Sequence, residues 1–259
     1  MCKTANILGI NFKDRTKKEV RESISNALSE NKRLIIFTPN PQFALAVQKN
    51  TELRDIVNSA DILIPDGIGI IIASRILSTP LTERITGVDM GESILEYANQ
   101  NALRVFLLGG RESASLKASQ NISKRFPKLV LCGAHHGYFD KQSNENNDVI
   151  KKIKTASPDI VFVCFGFPEQ EKWIYNNKNS LPDVKLFAGL GGSIDIWAGD
   201  IRRAPRAFQR LGLEWLWRVL RQPSRLRIFS DIPAFLICVL KQKYSMKTAK
   251  KTLFYQKRE

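Results

Sequence analysis

Ile160-Val161-Phe162-Val163-Cys164-Phe165-Gly166-Phe167-Pro168-Glu169-Gln170-Glu171 is an apolar run, halted by glycine and followed at once by the acidic opening of a helix. Consecutive apolar residues without alternation suit a strand covered on both faces, and a glycine turn into a helix is the step that links strand to helix in a βα unit. Outward from it the pattern repeats. Comparable runs at 7–10, 34–37, 62–64, 105–108, 129–131 and 185–188 alternate with amphipathic windows at 17–29, 41–58, 88–99, 113–125, 147–155 and 169–177.

Strand and helix in alternation predict an α/β fold with a doubly wound, mostly parallel, Rossmann-like sheet. A chain of 259 residues with 43% hydrophobic content has ample material for such a core, which excludes disorder of the whole. The apolar run before Asn11 and Lys13 is too short for a secretory leader, so the chain is expected to stay in the cytoplasm. Cys2, Cys132, Cys164 and Cys238 are scattered and form no CxxC pair, so neither a disulfide framework nor a zinc knuckle is expected. His135 and His136 are neighbours that extended backbone points apart, with no third ligand at useful spacing, and no metal site is expected.

Charge divides the chain. Residues 201–259 hold 15 Lys and Arg against 3 Asp and Glu, so 12 of the 15 net positive charges lie there. A nearly neutral catalytic domain at 1–200 is therefore expected to carry a basic helical appendage at 201–259 that meets a polyanion. On a helical wheel Arg206, Arg210, Arg218 and Arg221 share a sector of about 120°, opposite Phe208, Leu211, Trp215, Leu216, Val219 and Leu220. Aromatic residues beside arginines read as an interfacial membrane helix, with Arg203, Arg225 and Arg227 extending the docking surface. Four cations at about 1 kcal/mol each give weak, reversible attachment to anionic lipid. Packing of the same apolar face on the domain or on a second copy of the chain remains an alternative. Nucleic acid is not expected, because no helix-turn-helix or RNA-binding signature accompanies the arginines. Glu214, alone in this stretch, is placed to pair with Arg210 or Arg218 at i±4. The apolar run 232–240 falls short of a membrane span.

In doubly wound sheets ligands bind beyond the carboxyl ends of the strands. The strand ends here are Thr38-Pro39-Asn40, Asp66-Gly67, Gly109-Gly110, the Gly166 to Glu171 segment with Gln170, and Gly191-Gly192-Ser193-Ile194-Asp195. Glycine turns let backbone amides approach an anion, which suits a diphosphate, although tight turn chemistry alone accounts equally well for any one of them. Neither GxGxxG nor GxxxxGK[ST] occurs, so a nicotinamide cofactor and P-loop hydrolysis both lack their phosphate cradle, and no cofactor is expected.

These loops, with Arg84-Ile85-Thr86-Gly87-Val88-Asp89, His136-Gly137-Tyr138-Phe139, Arg203-Ala204-Pro205 and Leu213-Glu214-Trp215-Leu216-Trp217-Arg218, resemble the WecG/TagA/CpsF glycosyltransferase family over roughly residues 5–228. The resemblance implies an inverting, metal-independent hexosyltransferase. Its substrates would be a UDP-linked N-acetylmannosamine, or related sugar, and undecaprenyl-diphosphate-linked N-acetylglucosamine, used for cell-surface glycopolymers such as teichoic acid. With the basic tail, it leads to the expectation that the protein sits peripherally on the cytoplasmic face of the membrane. A membrane-bound nucleotide-sugar sensor without transferase activity is the alternative on the same fold.

Inverting transfer needs a base for the acceptor hydroxyl, and a carboxylate at a strand end can supply it. Asp66 is the candidate, with turn and ribose-binding roles as rivals, and the family pattern favours it over Asp89 and Asp195. Asp89 alternatively caps the helix that begins near Met90. Without a metal, charge on the departing diphosphate has to meet amides, at Gly191, Gly192 and after Pro168, and a guanidinium. Arg84 is the candidate, with a surface pair to Glu83 as its rival. Thr38 and Asn40 suit positioning of a sugar hydroxyl or of the catalytic carboxylate, with an N-cap as the rival for Asn40. Gly109, Gly110, Gly166, Gln170, Glu171, Gly191, Gly192 and Asp195 make up the expected donor site.

Overall fold

Residues 7–10 form a turn, not the strand their composition predicts. Leu8 (φ 51°) and Gly9 (φ 92°) are both left-handed, and they join β1 (Thr4–Ile7) to β2 (Ile10–Lys13) in an antiparallel hairpin with Ile7 opposite Ile10. Two left-handed residues are what a two-residue hairpin turn needs, and Gly9 meets it without Cβ strain. This is a computed structural model that describes residues 3–221, 226 and 228–256.

After the hairpin come α1 (Lys17–Ser29), β3 (Leu34–Phe37), α2 (Pro41–Lys49), α3 (Thr51–Asn58), β4 (Ile62–Leu63), α4 (Ile68–Ile76) and α5 (Gly87–Gln100). The second half holds β5 (Arg104–Gly109), α6 (Glu112–Arg125), β6 (Val130–His135), α7 (Asn144–Ala156), β7 (Ile160–Cys164), α8 (Glu169–Asn177) and β8 (Leu186–Gly189). Four helices follow: α9 (Ser193–Trp197), α10 (Arg206–Arg210), α11 (Glu214–Arg221) and α12 (Ile228–Gln256). The window 41–58 is two helices, because Asn50 leaves helical geometry and caps α3, its Oδ1 accepting from the Leu53 amide at 2.9 Å.

Six strands form one parallel sheet in the order β4-β3-β8-β7-β5-β6. Alternate side chains leave opposite faces, and both faces are covered, which is why the strands read as unbroken apolar runs. Ile36, Leu107, Phe162 and Ala188 meet α1, α5, α6 and α9 on one side. Phe37, Phe106, Val163 and Phe187 meet α7 and α8 on the other. The fold is thus doubly wound α/β. From β5 the chain crosses to β6, and from β7 it crosses the opposite way to β8, so the loops after β5 and β7 diverge and leave a crevice at the carboxyl edge.

A third core joins the hairpin, α2, α4 and α12. Phe12, Phe43, Ile70, Phe235 and Val239 are buried together, and each such side chain contributes roughly 1.5–3 kcal/mol. Helix α12 is therefore packed against the body. The Gln242 side chain accepts from the Leu8 amide at 3.0 Å and donates to the Asn6 carbonyl at 2.9 Å, tying α12 to the hairpin turn. Among the described residues no helix is long and apolar enough to cross a membrane.

Candidate active site

Because β4, β3, β8 and β7 are consecutive in the sheet, their carboxyl ends bring Asp66, Thr38, Asn40, Gly191 and Gly166 to one edge. Asp66 sits in the turn before Gly67, whose φ of 85° starts α4. The Asp66 amide donates to the Pro39 carbonyl at 3.1 Å, so the β3 and β4 loops are stitched together. The half-buried Asp66 carboxyl has its pKa pushed up to about 6, mainly by burial. The positive charge of Arg218, a hydrogen bond from the Gly87 amide and the charge of Arg84 oppose that rise, while Glu214 adds to it. A carboxyl with this pKa is ionised at neutral pH and still basic enough to accept a proton.

Thr38 Oγ1 donates to the Gly189 carbonyl at 3.1 Å. Gly87 packs so closely on Thr38 that a Cβ there would lie 3.3 Å from Thr38 Oγ1. Asn40 Oδ1 accepts from the Phe43 amide at 3.0 Å and caps α2, ahead of Pro41. The capping role is thus realised.

The donor-site glycines separate into two kinds. A Cβ on Gly109 would collide with the Cys164 carbonyl, and one on Gly110 would come 2.7 Å from Ile194 Cγ2, so close packing on β7 and α9 requires both. A Cβ on Gly166 (φ 89°) or Gly191 (φ 54°) would meet no atom within 4 Å, so both border open space, where a ligand can approach the backbone. A Cβ on Gly192 would make an ordinary 3.7 Å contact with Asp195 Oδ2, at the start of α9. Gln170 Oε1 accepts from the Gly191 amide at 2.9 Å, and Gln170 Nε2 donates to Glu171 Oε1 at 2.7 Å. Glu171 is fully buried.

Arg84 does not form the surface pair with Glu83. Glu83 instead accepts from the Lys17 amide at 2.7 Å, and Arg84 turns inward to Glu214 (3.2 Å) and the Gln209 carbonyl (2.6 Å). Nor does Glu214 pair along its own helix: it binds Arg84 and, at 3.2 Å, Arg203. Arg203 in turn reaches Asp89 at 2.7 Å. The cap of α5 is Thr86, whose Oγ1 accepts from the Asp89 amide at 3.1 Å and donates to the Asp89 carboxylate at 2.8 Å. Burial raises the Asp89 pKa, but these Thr86 and Arg203 partners outweigh it and hold the carboxyl below its ordinary range. Asp89 is therefore an ion-pair residue of the tail contact, a poor base.

The single arginine stripe is not realised. Gly212 adopts φ 73°, and a Cβ on it would lie 2.8 Å from Ile68 Cβ; this turn splits the expected helix into α10 and α11. Arg218 consequently faces the Asp66 region, and Arg203 lies in the ion-pair network, while Arg206, Arg210 and Arg221 remain exposed. Arg221 stacks on Trp217, 4.8 Å from guanidinium carbon to ring centre. Arg225 and Arg227 lie outside the described residues. Sequence reasoning missed the Gly87 amide and the Gln209 carbonyl, which no side-chain pattern announces; the isolated acid Glu214 was the one signal for the network.

The model of the Glycosyl transferase WecG/TagA/CpsF family matches residues 5–249, most of α12 included. A protein of Bacillus subtilis (strain 168) is 36% identical over 225 residues, covering 87% of this chain and 84% of its own length. One from Bacillus spizizenii is 36% identical over 214 residues, 83% of this chain and 81% of its own. One from Staphylococcus aureus (strain MRSA252) is 34% identical over 246 residues, 94% and 95% of the two chains. All three are named N-acetylglucosaminyldiphosphoundecaprenol N-acetyl-beta-D-mannosaminyltransferase. The fold and these similarities define a hexosyltransferase. The chain belongs to the WecG/TagA/CpsF glycosyltransferase family.

Proposed function

We propose that this enzyme moves N-acetylmannosamine, or a related N-acetylhexosamine, from a UDP donor to N-acetylglucosamine carried on a lipid diphosphate, with inversion and without a metal. The observation that carries the reading is Asp66, a carboxyl of pKa about 6 at the shared carboxyl edge, with two guanidinium groups in its field. In the reaction the acceptor hydroxyl oxygen bonds to the anomeric carbon as the bond from that carbon to the UDP β-phosphate oxygen breaks. Asp66 takes the hydroxyl proton, and the bonding pair leaves with UDP. Arg218 and Arg84 supply positive charge where the diphosphate gains negative charge, and the amides at Gly166 and Gly191 border the open space beside it. Thr38 holds the β3 and β8 loops in register for both substrates.

Among the described residues no group of three or more His, Cys, Asp and Glu is placed to hold a metal. The protein docks peripherally on the cytoplasmic face of the membrane: Phe229, Ile237, Leu240 and Tyr244 are exposed along α12, opposite the buried Phe235 and Val239, and Leu211 and Leu220 are exposed near Arg206, Arg210 and Arg221 in sequence. Exposed apolar residues among cations suit an anionic lipid surface.

The test is single turnover with UDP-N-acetylmannosamine and a short-chain N-acetylglucosamine diphospho-lipid. The reading requires release of UDP and a glycosidic bond of anomeric configuration opposite to the donor's. Donor binding without transfer, or retention of configuration, overturns it.

A further inference from the structure

Gln170 and Glu171 are neighbours at the start of α8, and Gln170 touches the loop that borders the open crevice. Glu171 is 0% exposed, and its Oε2 is buried with no hydrogen-bond partner among the described residues. Burying an unpartnered carboxyl oxygen is costly, and a methionine of similar size would avoid the cost. Among the described residues, the side chain that Glu171 hydrogen-bonds is Gln170, whose Nε2 donates to Glu171 Oε1 at 2.7 Å.

That contact decides which way the Gln170 amide faces. A glutamine amide is nearly symmetric in shape, with a donor at one corner and an acceptor at the other. With Nε2 held by Glu171, the acceptor Oε1 faces the Gly191 amide and binds it at 2.9 Å. Turned over, Gln170 would set its NH2 against the Gly191 N–H, and two donors would face each other. The amide is also wedged against β8, since a Cβ on Gly189 would lie 3.0 Å from Gln170 Nε2. Across the strand, Thr38 Oγ1 donates to the Gly189 carbonyl at 3.1 Å. Residues 189–191 are therefore gripped from α8 on one side and from the β3 loop on the other.

We propose that Glu171 is a positioning residue for the donor: through Gln170 it fixes the Gly191 loop, at the carboxyl end of β8, in the shape that receives the donor diphosphate. The proposal rests on the reading of that loop as donor site. Glu171 does not touch the donor.

The experiment compares Glu171→Met, Glu171→Gln, Gln170→Met and the double variant Gln170→Met/Glu171→Met in the full chain. Donor KM, acceptor KM, kcat, UDP affinity by calorimetry and Tm are measured for each. Glu171→Met should raise donor KM and UDP Kd by roughly tenfold, as loss of one oriented hydrogen bond predicts, with acceptor KM and Tm near wild type. Glu171→Gln retains an oxygen for Gln170 Nε2 and should stay within about threefold of wild type. Gln170→Met should reproduce the donor defect, and the double variant should be no worse, because Glu171 acts only through Gln170. Wild-type donor KM in Glu171→Met, or additive defects in the double variant, overturns the proposal. If Glu171→Met does not fold, equal impairment of Glu171→Gln and Gln170→Met overturns it. A wild-type protein that binds no UDP overturns the donor reading itself and this proposal with it, which distinguishes the two failures.

Discussion

Glu214 accepts from Arg84 at 3.2 Å across 130 residues of sequence, and both side chains are more than four-fifths shielded from solvent (14% and 19% exposed). The same carboxylate takes Arg203, so one acid on α11 holds two cations of the body and its approach segment. Glu214→Ala leaves both short of a partner in a poorly hydrated place and should cost roughly 1–3 kcal/mol, read as a lower midpoint in urea. It also removes a negative charge that raises the Asp66 pKa. The acid limb of the activity profile should therefore move to lower pH in Glu214→Gln, where shape is retained.

The limb itself follows from Asp66. A base must be ionised, so kcat/KM should rise with pH up to about 6 and level off above it. Stability runs the other way. The folded carboxyl keeps its proton up to about 6, whereas its ordinary value is 3.8, so between these values the folded state binds the extra proton. The Asp66 contribution to stability then declines as pH rises from about 4 to about 6, by at most about 3 kcal/mol, and is flat above, while Glu171, whose carboxyl burial pushes up to about 8, adds a decline of the same sign that runs on to about 8. Thermal melts of wild type and Asp66→Asn across this window check the sign: the variant should show a shallower decline than wild type between about pH 4 and 6.

Asp66→Asn should lower turnover by about 10²–10⁴ while UDP affinity changes by no more than a few-fold, as loss of a base alone predicts. A large loss of UDP affinity, measured by calorimetry, would make Asp66 a donor ligand.

Much of this architecture can be read from the chain because burial on both sheet faces writes strands as unbroken apolar runs, and caps such as Asn40 and Thr16 mark helix starts. The failures have physical causes. Helix α4, Ile68–Ile76, is apolar on nearly every side and so carries no helical period. Residues 7–10 look like a strand because both strand ends of the hairpin are isoleucine. The loops that hold Asp66, Thr38 and Gly191 are visible as strand ends, but their mutual contacts are not. Arg84, Arg203 and Glu214 meet through a fold that brings α11 back against the segment leading into α5, and pairing at i±4 has no knowledge of such a return. The left-handed Gly212 likewise resets the direction of Arg218 and Arg221.

Chelation offers a direct check of the charge account. If amides and guanidinium groups meet the departing diphosphate, activity should persist in excess EDTA. Complete loss that Mg²⁺ or Mn²⁺ restores would move that role to a metal.

The basic tail supplies the last prediction, and its packing decides how it has to be tested. Deleting everything after residue 200 would strip Phe235 and Val239 from a core they share with Phe43 and Ile70, so loss of activity in such a truncation would report unfolding. Charge reversal avoids this, because Arg206, Arg210 and Arg221 are exposed. Changing two of them to Glu alters the local charge by four units and should remove most binding to anionic liposomes, since each lysine or arginine near such a surface contributes about 1 kcal/mol. Salt near 0.5 M should weaken wild-type binding similarly, because the screening length falls to roughly 4 Å. Arg218→Glu is the contrasting variant: it faces Asp66, so it should impair turnover on a soluble acceptor analogue while the exposed reversals do not. Exposed reversals that leave both liposome binding and transfer to a membrane-embedded acceptor at wild-type levels would refute lipid docking through these arginines.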